Sequence, residues 1–197
     1  MSTGWDRRRE LTRADILHAA WTLCRDRGLA GLSMRDLAVE VGLRAPSLYS
    51  YFASKSEIYD AMFADGQRAL LEMTAARAEP PSGREGLRST TAAFVSFCVA
   101  EPVRYQLLFQ RPIPGFVPSE TSYGLALEFY RTYTADMERI GVTDQRLLDL
   151  WSALVTGLTD QQVSNDPGGD RWISLLDEAV DMFCGHARLL GEPVTTT

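Results

Sequence analysis

Apolar side chains recur every three or four residues along most of this chain, the spacing that places them on one face of an α-helix. In the second predicted helix, the apolar positions i, i+3, i+4 and i+7 are Met34, Leu37, Ala38 and Val41. Segments in which apolar and polar residues alternate between hairpin turns, the pattern of a β-strand, are almost absent. The pattern therefore predicts an all-α protein with about nine helices.

Glycine, proline and capping residues set the expected ends of these helices. Breaks are expected at Gly28, at Gly42 and in the Pro-Pro-Ser-Gly segment at residues 80–83. Ser33 and Ser54 are each followed three residues later by an acidic residue, which is typical of a helix N-terminus. The helices are predicted over residues 13–27, 34–41, 45–51, 55–78, 84–100, 103–110, 119–140, 144–164 and 170–190.

The first three predicted helices, with Gly42 in the tight turn between the second and the third, have the pattern of a helix-turn-helix domain. In such a domain the third helix enters the major groove of DNA. Leu48 and Phe52 are expected to face the core, which leaves the start of the helix free to reach base edges. Arg44 suits a paired contact to guanine, and Ala45 suits the methyl group of thymine.

Phosphate contacts are expected from residues around this helix, because at least half of protein–DNA hydrogen bonds go to the backbone of the nucleic acid. Tyr49, Tyr51 and Lys55 suit phosphate oxygens, and Ser33 and Arg35 at the start of the second helix add a hydroxyl, a charge and free amides. Alternatively, the two tyrosines cover edges of the core, since an amphipathic ring can do either.

Charge is distributed unevenly along the chain, which has a net charge of −6. Residues 1–55 carry a net charge of +3, and the remainder carries −9. This division indicates a head that binds a polyanion and a body that does not contact it.

Cysteine and histidine patterns offer no catalytic or metal-binding chemistry. Three cysteines lie far apart without zinc-ligand spacing, and the two histidines are not part of any nucleophile or phosphate-loop motif. No apolar run approaches the ~20 residues needed to cross a bilayer. We therefore expect a cytoplasmic protein without cofactor, metal or enzymatic activity.

The segment GLSMRDLAVEVGLRAPSLYSYFASKSEIYDAMF, residues 31–63, closely resembles the DNA-binding domain of TetR-family transcriptional regulators. The shared motifs include Leu37-Ala38, Val41-Gly42, Ser47-Leu48-Tyr49 and Tyr51-Phe52. Met34 stands where many members have Thr or Ser, so a DNA contact at this position is not carried over. The DNA contacts that the resemblance implies are Ser33, Arg35, Arg44, Ala45, Pro46, Ser47, Tyr49, Tyr51 and Lys55.

The same resemblance implies a division of the chain into three parts. Residues 1–11 are expected to form a disordered basic arm, 12–55 the helix-turn-helix domain, and 56–197 a ligand-binding and dimerisation domain. Arg7, Arg8 and Arg9 resemble the basic arms that some members lay along DNA, and a solvated tail is the alternative. Residues 150–158, LWSALVTGL, also resemble a Trp-x5-Gly stretch of one C-terminal subclass common in actinobacteria.

Two apolar stripes on the last predicted helix indicate that it is buried on both sides, once by its own subunit and once by a partner. The residues expected at the dimer interface are Trp151, Leu154, Leu158, Leu175, Ala179, Met182 and His186. Aromatic and apolar residues of the body are candidates for an effector pocket, although such stripes usually form core. The candidates are Phe94, Phe97, Cys98, Tyr105, Phe109, Phe116, Tyr123, Leu127 and Trp151.

The resemblance thus implies a homodimeric regulator, most often a repressor, that binds a palindromic DNA operator and is released by a small-molecule effector. The aromatic candidates favour an apolar or aromatic effector. A DNA-binding regulator that responds to a partner, or to no ligand at all, remains the alternative.

Overall fold

The computed structural model describes residues 4–189, with side chains described from residue 9 onwards. This part of the chain is entirely helical, which confirms the predicted fold class. Short 3-10 helices lie at Leu29–Gly31 and Ile173–Leu175, and a π-helical turn lies at Gln106–Gln110. The α-helices are α1 Gly4–Arg27, α2 Met34–Glu40, α3 Ala45–Tyr49, α4 Lys55–Ala76, α5 Gly83–Ala100, α6 Pro102–Tyr105, α7 Glu120–Ile140, α8 Gln145–Asn165 and α9 Leu176–Ala187.

Helix α1 begins nine residues earlier than predicted, at Gly4 instead of about residue 13. Residues 4–11 are therefore helical rather than a disordered arm, and Arg7 and Arg8 have side chains outside the described part. Helix α9 is shorter than predicted, because a 3-10 turn precedes it and Arg188, with φ of 57°, ends it.

The chain folds into two compact units, and neither follows the predicted boundary at residue 55. The first unit comprises Met1–Ala69 and Val103–Leu127, and the second comprises Leu70–Pro102 and Glu128–Thr197. The first two thirds of α4, up to Ala69, belong to the first unit, and Ile58, Tyr59 and Met62 are buried in the same core as the helix-turn-helix.

The core of the first unit collects the apolar faces that the sequence pattern predicts. Ile16 and Leu37 are buried there, together with Leu48 and Phe52 of the α3 region. Leu107 from the segment after α6 joins the same cluster. A single core thus fixes α1 to α4 relative to one another within this unit.

The core of the second unit is built around Trp151 of α8. The Trp151 ring packs against Phe183 of α9 with 4.7 Å between ring centroids. The Trp151 indole N–H donates to the Thr91 hydroxyl at 3.3 Å, so the one polar atom of this buried ring has a partner. One face of α9, which includes Val180 and Phe183, is buried against α5 and α8 and forms part of this core.

Candidate nucleic-acid interface

The turn between α2 and α3 is fixed by hydrogen bonds at the end of α2. Gly42 adopts a φ of 67°, which favours glycine because a side chain is strained there. The Gly42 N–H donates to Val39 O at 3.1 Å, and the Leu43 N–H donates to Ala38 O at 2.8 Å. These two bonds are the Schellman motif, which ends α2 and directs the chain into α3.

Helix α3 presents one face to the core and the opposite face to solvent. Leu48 is fully buried and Phe52, just beyond the helix, is 1% exposed, as the sequence predicts. The predicted base-reading and backbone-contacting residues on the other face are all exposed: Arg44, Ala45, Pro46, Ser47 and Tyr49. Tyr49 is 50% exposed, so it does not serve as a cover for the core.

The start of α2 brings Ser33 and Arg35 to one helix terminus. The Ser33 hydroxyl oxygen accepts a hydrogen bond from the Asp36 N–H at 3.1 Å, which makes Ser33 the N-cap. Its hydroxyl proton can still be donated to a phosphate oxygen. Arg35 is exposed in the first turn. This terminus therefore offers a cation and a hydroxyl beside the free amides of α2.

Lys55 has a role within the protein that the sequence pattern did not indicate. Its ammonium group donates to Leu32 O at 3.0 Å and lies 5.4 Å from the centroid of the Tyr59 ring. One turn further along α4, the Tyr59 hydroxyl donates to Leu29 O at 2.6 Å. Burial raises the pKa of Tyr59 to about 12, so this hydroxyl stays protonated and can donate.

The Lys55 and Tyr59 bonds tie α4 to the segment that leads into α2. The signal for this role was present in the sequence, because residues 55 and 59 are four apart and share a face of the helix. Lys55 retains further ammonium protons, so the predicted phosphate contact remains a prediction.

Tyr51 occupies an intermediate position between core and solvent. Its ring is half-buried, and the Arg9 guanidinium carbon lies 5.8 Å from the ring centroid. The ring therefore packs partly within the unit, as in the alternative reading of the sequence. The predicted phosphate contact of Tyr51 rests on its hydroxyl alone.

The residues predicted to line an effector pocket are divided between the two units. Tyr105, Phe109, Phe116, Tyr123 and Leu127 lie in the first, and Phe94, Phe97, Cys98 and Trp151 lie in the second. Phe116 contacts the Tyr59 ring edge-on, and Tyr105 is buried beside Phe109. Tyr123 and Leu127 are 50% and 43% exposed. Phe94 and Phe97 are half-buried, which leaves part of each side chain available to a ligand.

The residues predicted for the dimer interface separate into buried and exposed sets within the second unit. Trp151 and Ala179 are 1% and 7% exposed, so they belong to the core of their own unit and not to a surface that a partner subunit contacts. Helical spacing identifies the faces of a helix but does not say which one the subunit covers itself. Leu175, Met182 and His186 are exposed, and Leu154 and Leu158 are half-buried.

In the described part of the chain we find neither a group of metal-ligand side chains nor a helix that could span a membrane. No group of three or more His, Cys, Asp or Glu residues there could hold a metal ion. None of the described helices combines the length and apolarity of a membrane span.

Comparison with protein families identifies the same segment that carries this interface. The family model of bacterial regulatory proteins of the tetR family matches residues 16–62, from α1 into α4. Residues 16–62 are therefore similar to a TetR-family DNA-binding domain. This match includes most of the segment, residues 31–63, whose sequence resembles that domain.

Relatives of this chain include the HTH-type transcriptional regulator Rv1816 of Mycobacterium tuberculosis H37Rv. The two are 28% identical over 147 residues, which cover 72% of this chain and 62% of Rv1816. The chain thus spans less than two thirds of the length of this relative.

Solved structures share the fold of most of this chain. The regulatory protein SCO4313 has a TM-score of 0.74 at 20% identity, covering 93% of this chain and all of that one. The transcriptional regulator FadR from Bacillus subtilis, solved in complex with stearoyl-CoA, has a TM-score of 0.61 at 15% identity over 85% of this chain and 95% of FadR.

Proposed function

We propose that this protein is a cytoplasmic, homodimeric repressor that binds a palindromic operator through α2 and α3 and leaves it when a small molecule binds the helical body. The observation that carries the proposal is the division of the α3 region, in which Leu48 and Phe52 are buried while Arg44 and Ser47 stand in solvent. A helix held by its apolar side presents the opposite side to a major groove.

Contacts to DNA are proposed at two places in the head. Arg44, Ala45, Pro46 and Ser47 at the start of α3 approach base edges, because short polar and methyl-sized groups there reach donors, acceptors and the thymine methyl. Ser33, Arg35, Tyr49, Tyr51 and Lys55 bind phosphates around them. These phosphate contacts position the head, and the base contacts give it specificity.

Dimerisation is proposed through α8 and α9, which pack together in the second unit. Leu150 and Met182 on these helices are 50% and 63% exposed, and Leu175 just before α9 is 37% exposed, so this pair of helices offers apolar side chains to a partner. A two-fold dimer would cover both helices with the same helices of the partner, and a palindromic site matches that symmetry.

An effector-bound state is proposed by analogy with FadR, which was solved with stearoyl-CoA bound. The half-buried Phe94 and Phe97 favour an apolar or aromatic effector for this chain. The effector shifts the equilibrium between two dimer states only by as much as its affinity differs between them. Release therefore requires that the effector favour the state whose heads no longer fit the operator.

Selection of binding sites from a random double-stranded DNA library tests the proposal. Wild-type protein is expected to enrich a palindrome. Arg44→Ala relaxes the preference at one base pair in each half-site and costs about 1–3 kcal/mol, while Arg35→Ala weakens binding to all sequences alike. No enriched palindrome at moderate salt would refute operator binding, and an unchanged sequence preference in Arg44→Ala would refute its base contact.

Thermal stability in the presence of small molecules separates the proposal from a regulator without a ligand. A compound that binds only the folded protein raises its Tm. The effector is expected to raise the Tm and to lower the affinity for the selected palindrome in the same concentration range. A compound that raises the Tm without changing DNA affinity fails as the effector.

A further inference from the structure

Two arginines of α1 bind the chain at the C-terminal end of α3. The Arg13 guanidinium donates a hydrogen bond to Tyr51 O, and its central carbon lies 4.1 Å from the centroid of the Phe52 ring. Arg13 thus holds both the backbone just after α3 and the aromatic side chain that anchors this region in the core.

Arg9 lies one turn before Arg13 in α1, and it binds the carbonyl of Ser50, the residue before Tyr51. Its guanidinium donates to Ser50 O at 3.1 Å and lies over the Tyr51 ring at 5.8 Å from the centroid. Arg9 and Arg13 are four residues apart, so they lie on the same face of α1. That face is directed at the end of α3 in the described structure.

The chemistry of this end of α3 suits two cations. The last carbonyl groups of a helix have no partner within the helix and carry partial negative charge, which guanidinium donors satisfy. Helix α3 has only five residues, so its internal hydrogen bonds alone hold it weakly. The buried Leu48 and Phe52 hold one face of α3 to the core, and the bonds from α1 add a second attachment at its C-terminal end.

We propose that Arg9 and Arg13 are positioning residues that fix the direction of α3 for DNA binding, and that neither binds phosphate. The proposal rests on the proposed DNA-binding function of α3. It differs from the expectation that the basic N-terminal residues lie along DNA, because the Arg9 and Arg13 guanidiniums are directed at protein carbonyls and rings. Their effect on DNA affinity is exerted through Arg44, Ser47 and Tyr49.

The salt dependence of DNA binding distinguishes positioning from phosphate contact. Each phosphate contact adds about 0.9 to the slope of log affinity against log salt concentration. Arg13→Met, which keeps an unbranched apolar stem, is expected to lower affinity for the selected operator about ten-fold with an unchanged slope, and Arg9→Met about three-fold. Arg35→Met is the matched control, and its slope is expected to fall by about 0.9.

Hydrogen exchange in the full-length protein without DNA tests the same proposal independently of operator binding. Arg13→Met is expected to speed exchange of the backbone amides at residues 45–52, and Arg13→Lys is expected to restore part of the protection because it can donate to the same carbonyl. Trp21→Phe is a control for general destabilisation, since it removes the 2.8 Å bond from the Trp21 indole N–H to Asp65 and part of the packing of a buried ring, away from the contacts of Arg9 and Arg13. It is expected to lower the Tm and to leave exchange at residues 45–52 and DNA affinity unchanged.

Each result decides one question. A salt slope that falls in Arg9→Met or Arg13→Met shows a phosphate contact and overturns the positioning role. Unchanged exchange at residues 45–52 in both variants also overturns it. If wild-type protein binds no operator, the proposed function fails, and the exchange measurement still decides whether the arginines hold α3.

Discussion

The ion pair between Arg77 and Asp136 offers a quantitative test of how the second unit is held together. Arg77 follows α4 and Asp136 lies on α7, and their side chains are only 18% and 8% exposed. The Arg77 guanidinium also donates to the Thr90 hydroxyl of α5. A second cation, Arg139, lies 3.7 Å from the other Asp136 oxygen. Arg139 also pairs with Glu79 at 3.2 Å, so Asp136 is the carboxylate that balances Arg77.

Asp136→Asn removes the negative charge with almost no change in shape. The Arg77 cation is then left buried without its counterion and close to Arg139. Breaking a buried pair by removing one partner costs about 3–5 kcal/mol. For a chain of this length, a loss of that size lowers the Tm by roughly 6–20 °C.

Urea and thermal denaturation of three variants check this expectation. Asp181→Asn is the matched control, because Asp181 pairs with Arg84 in an exposed arginine–aspartate bridge that water and salt screen, and we expect a much smaller change. The double variant Arg77→Met/Asp136→Leu removes both buried charges and is expected to be more stable than Asp136→Asn alone. Equal losses in Asp136→Asn and Asp181→Asn, or a double variant less stable than Asp136→Asn, would refute the reasoning.

Three further changes probe the core, the buried thiol and the dimer. Tyr59→Phe removes the 2.6 Å bond to Leu29 O, which keeps only a longer 3.4 Å bond from the Leu32 N–H, and is expected to cost about 0.5–1.5 kcal/mol in urea denaturation, whereas Tyr49→Phe on the exposed face is expected to cost almost nothing. Burial raises the pKa of Cys24 from its ordinary 9.0 to about 11. The unfolded thiol therefore ionises first, and stability should decline as pH rises from about 9 to about 11, less steeply in Cys24→Ala. Met182→Asp is expected to convert a dimer into a monomer in analytical ultracentrifugation, while Leu127→Asp, at an exposed site on α7, should remain a dimer.

The helix-turn-helix could be predicted from sequence because local chemistry specifies it. Gly42 ends α2 in a conformation that favours glycine, Ser33 caps α2, and Leu48 lies on the apolar face of α3. Each of these signals lies within a few residues of the feature it produces. The start of α1 was predicted wrongly for the opposite reason, since Arg9 and Arg13 make their contacts with residues about forty positions away.

The helices of the body could be predicted from the sequence, but the sequence did not indicate which of their apolar faces are buried and which are exposed. The periodicity of α8 and α9 identifies two apolar faces, and the structure assigns Trp151 and Ala179 to the core and leaves Met182 exposed. That choice depends on α5, which packs against both helices from a distant part of the sequence. The apolar pattern of one helix does not indicate which neighbouring helix packs against each of its faces.

Basic residues in the head show why a charge count from sequence overstates contact with DNA. In the described structure Arg9 and Arg13 donate to backbone carbonyls, and Arg27 pairs with Asp36 at 2.9 Å. Arg35 and Arg44 are exposed beside α2 and α3. The salt dependence of operator binding is therefore expected to reflect a small number of phosphate contacts, well below the nine basic residues of residues 1–55. Affinity must then depend on the geometry of α3, which is why the residues that hold its ends matter as much as those on its exposed face.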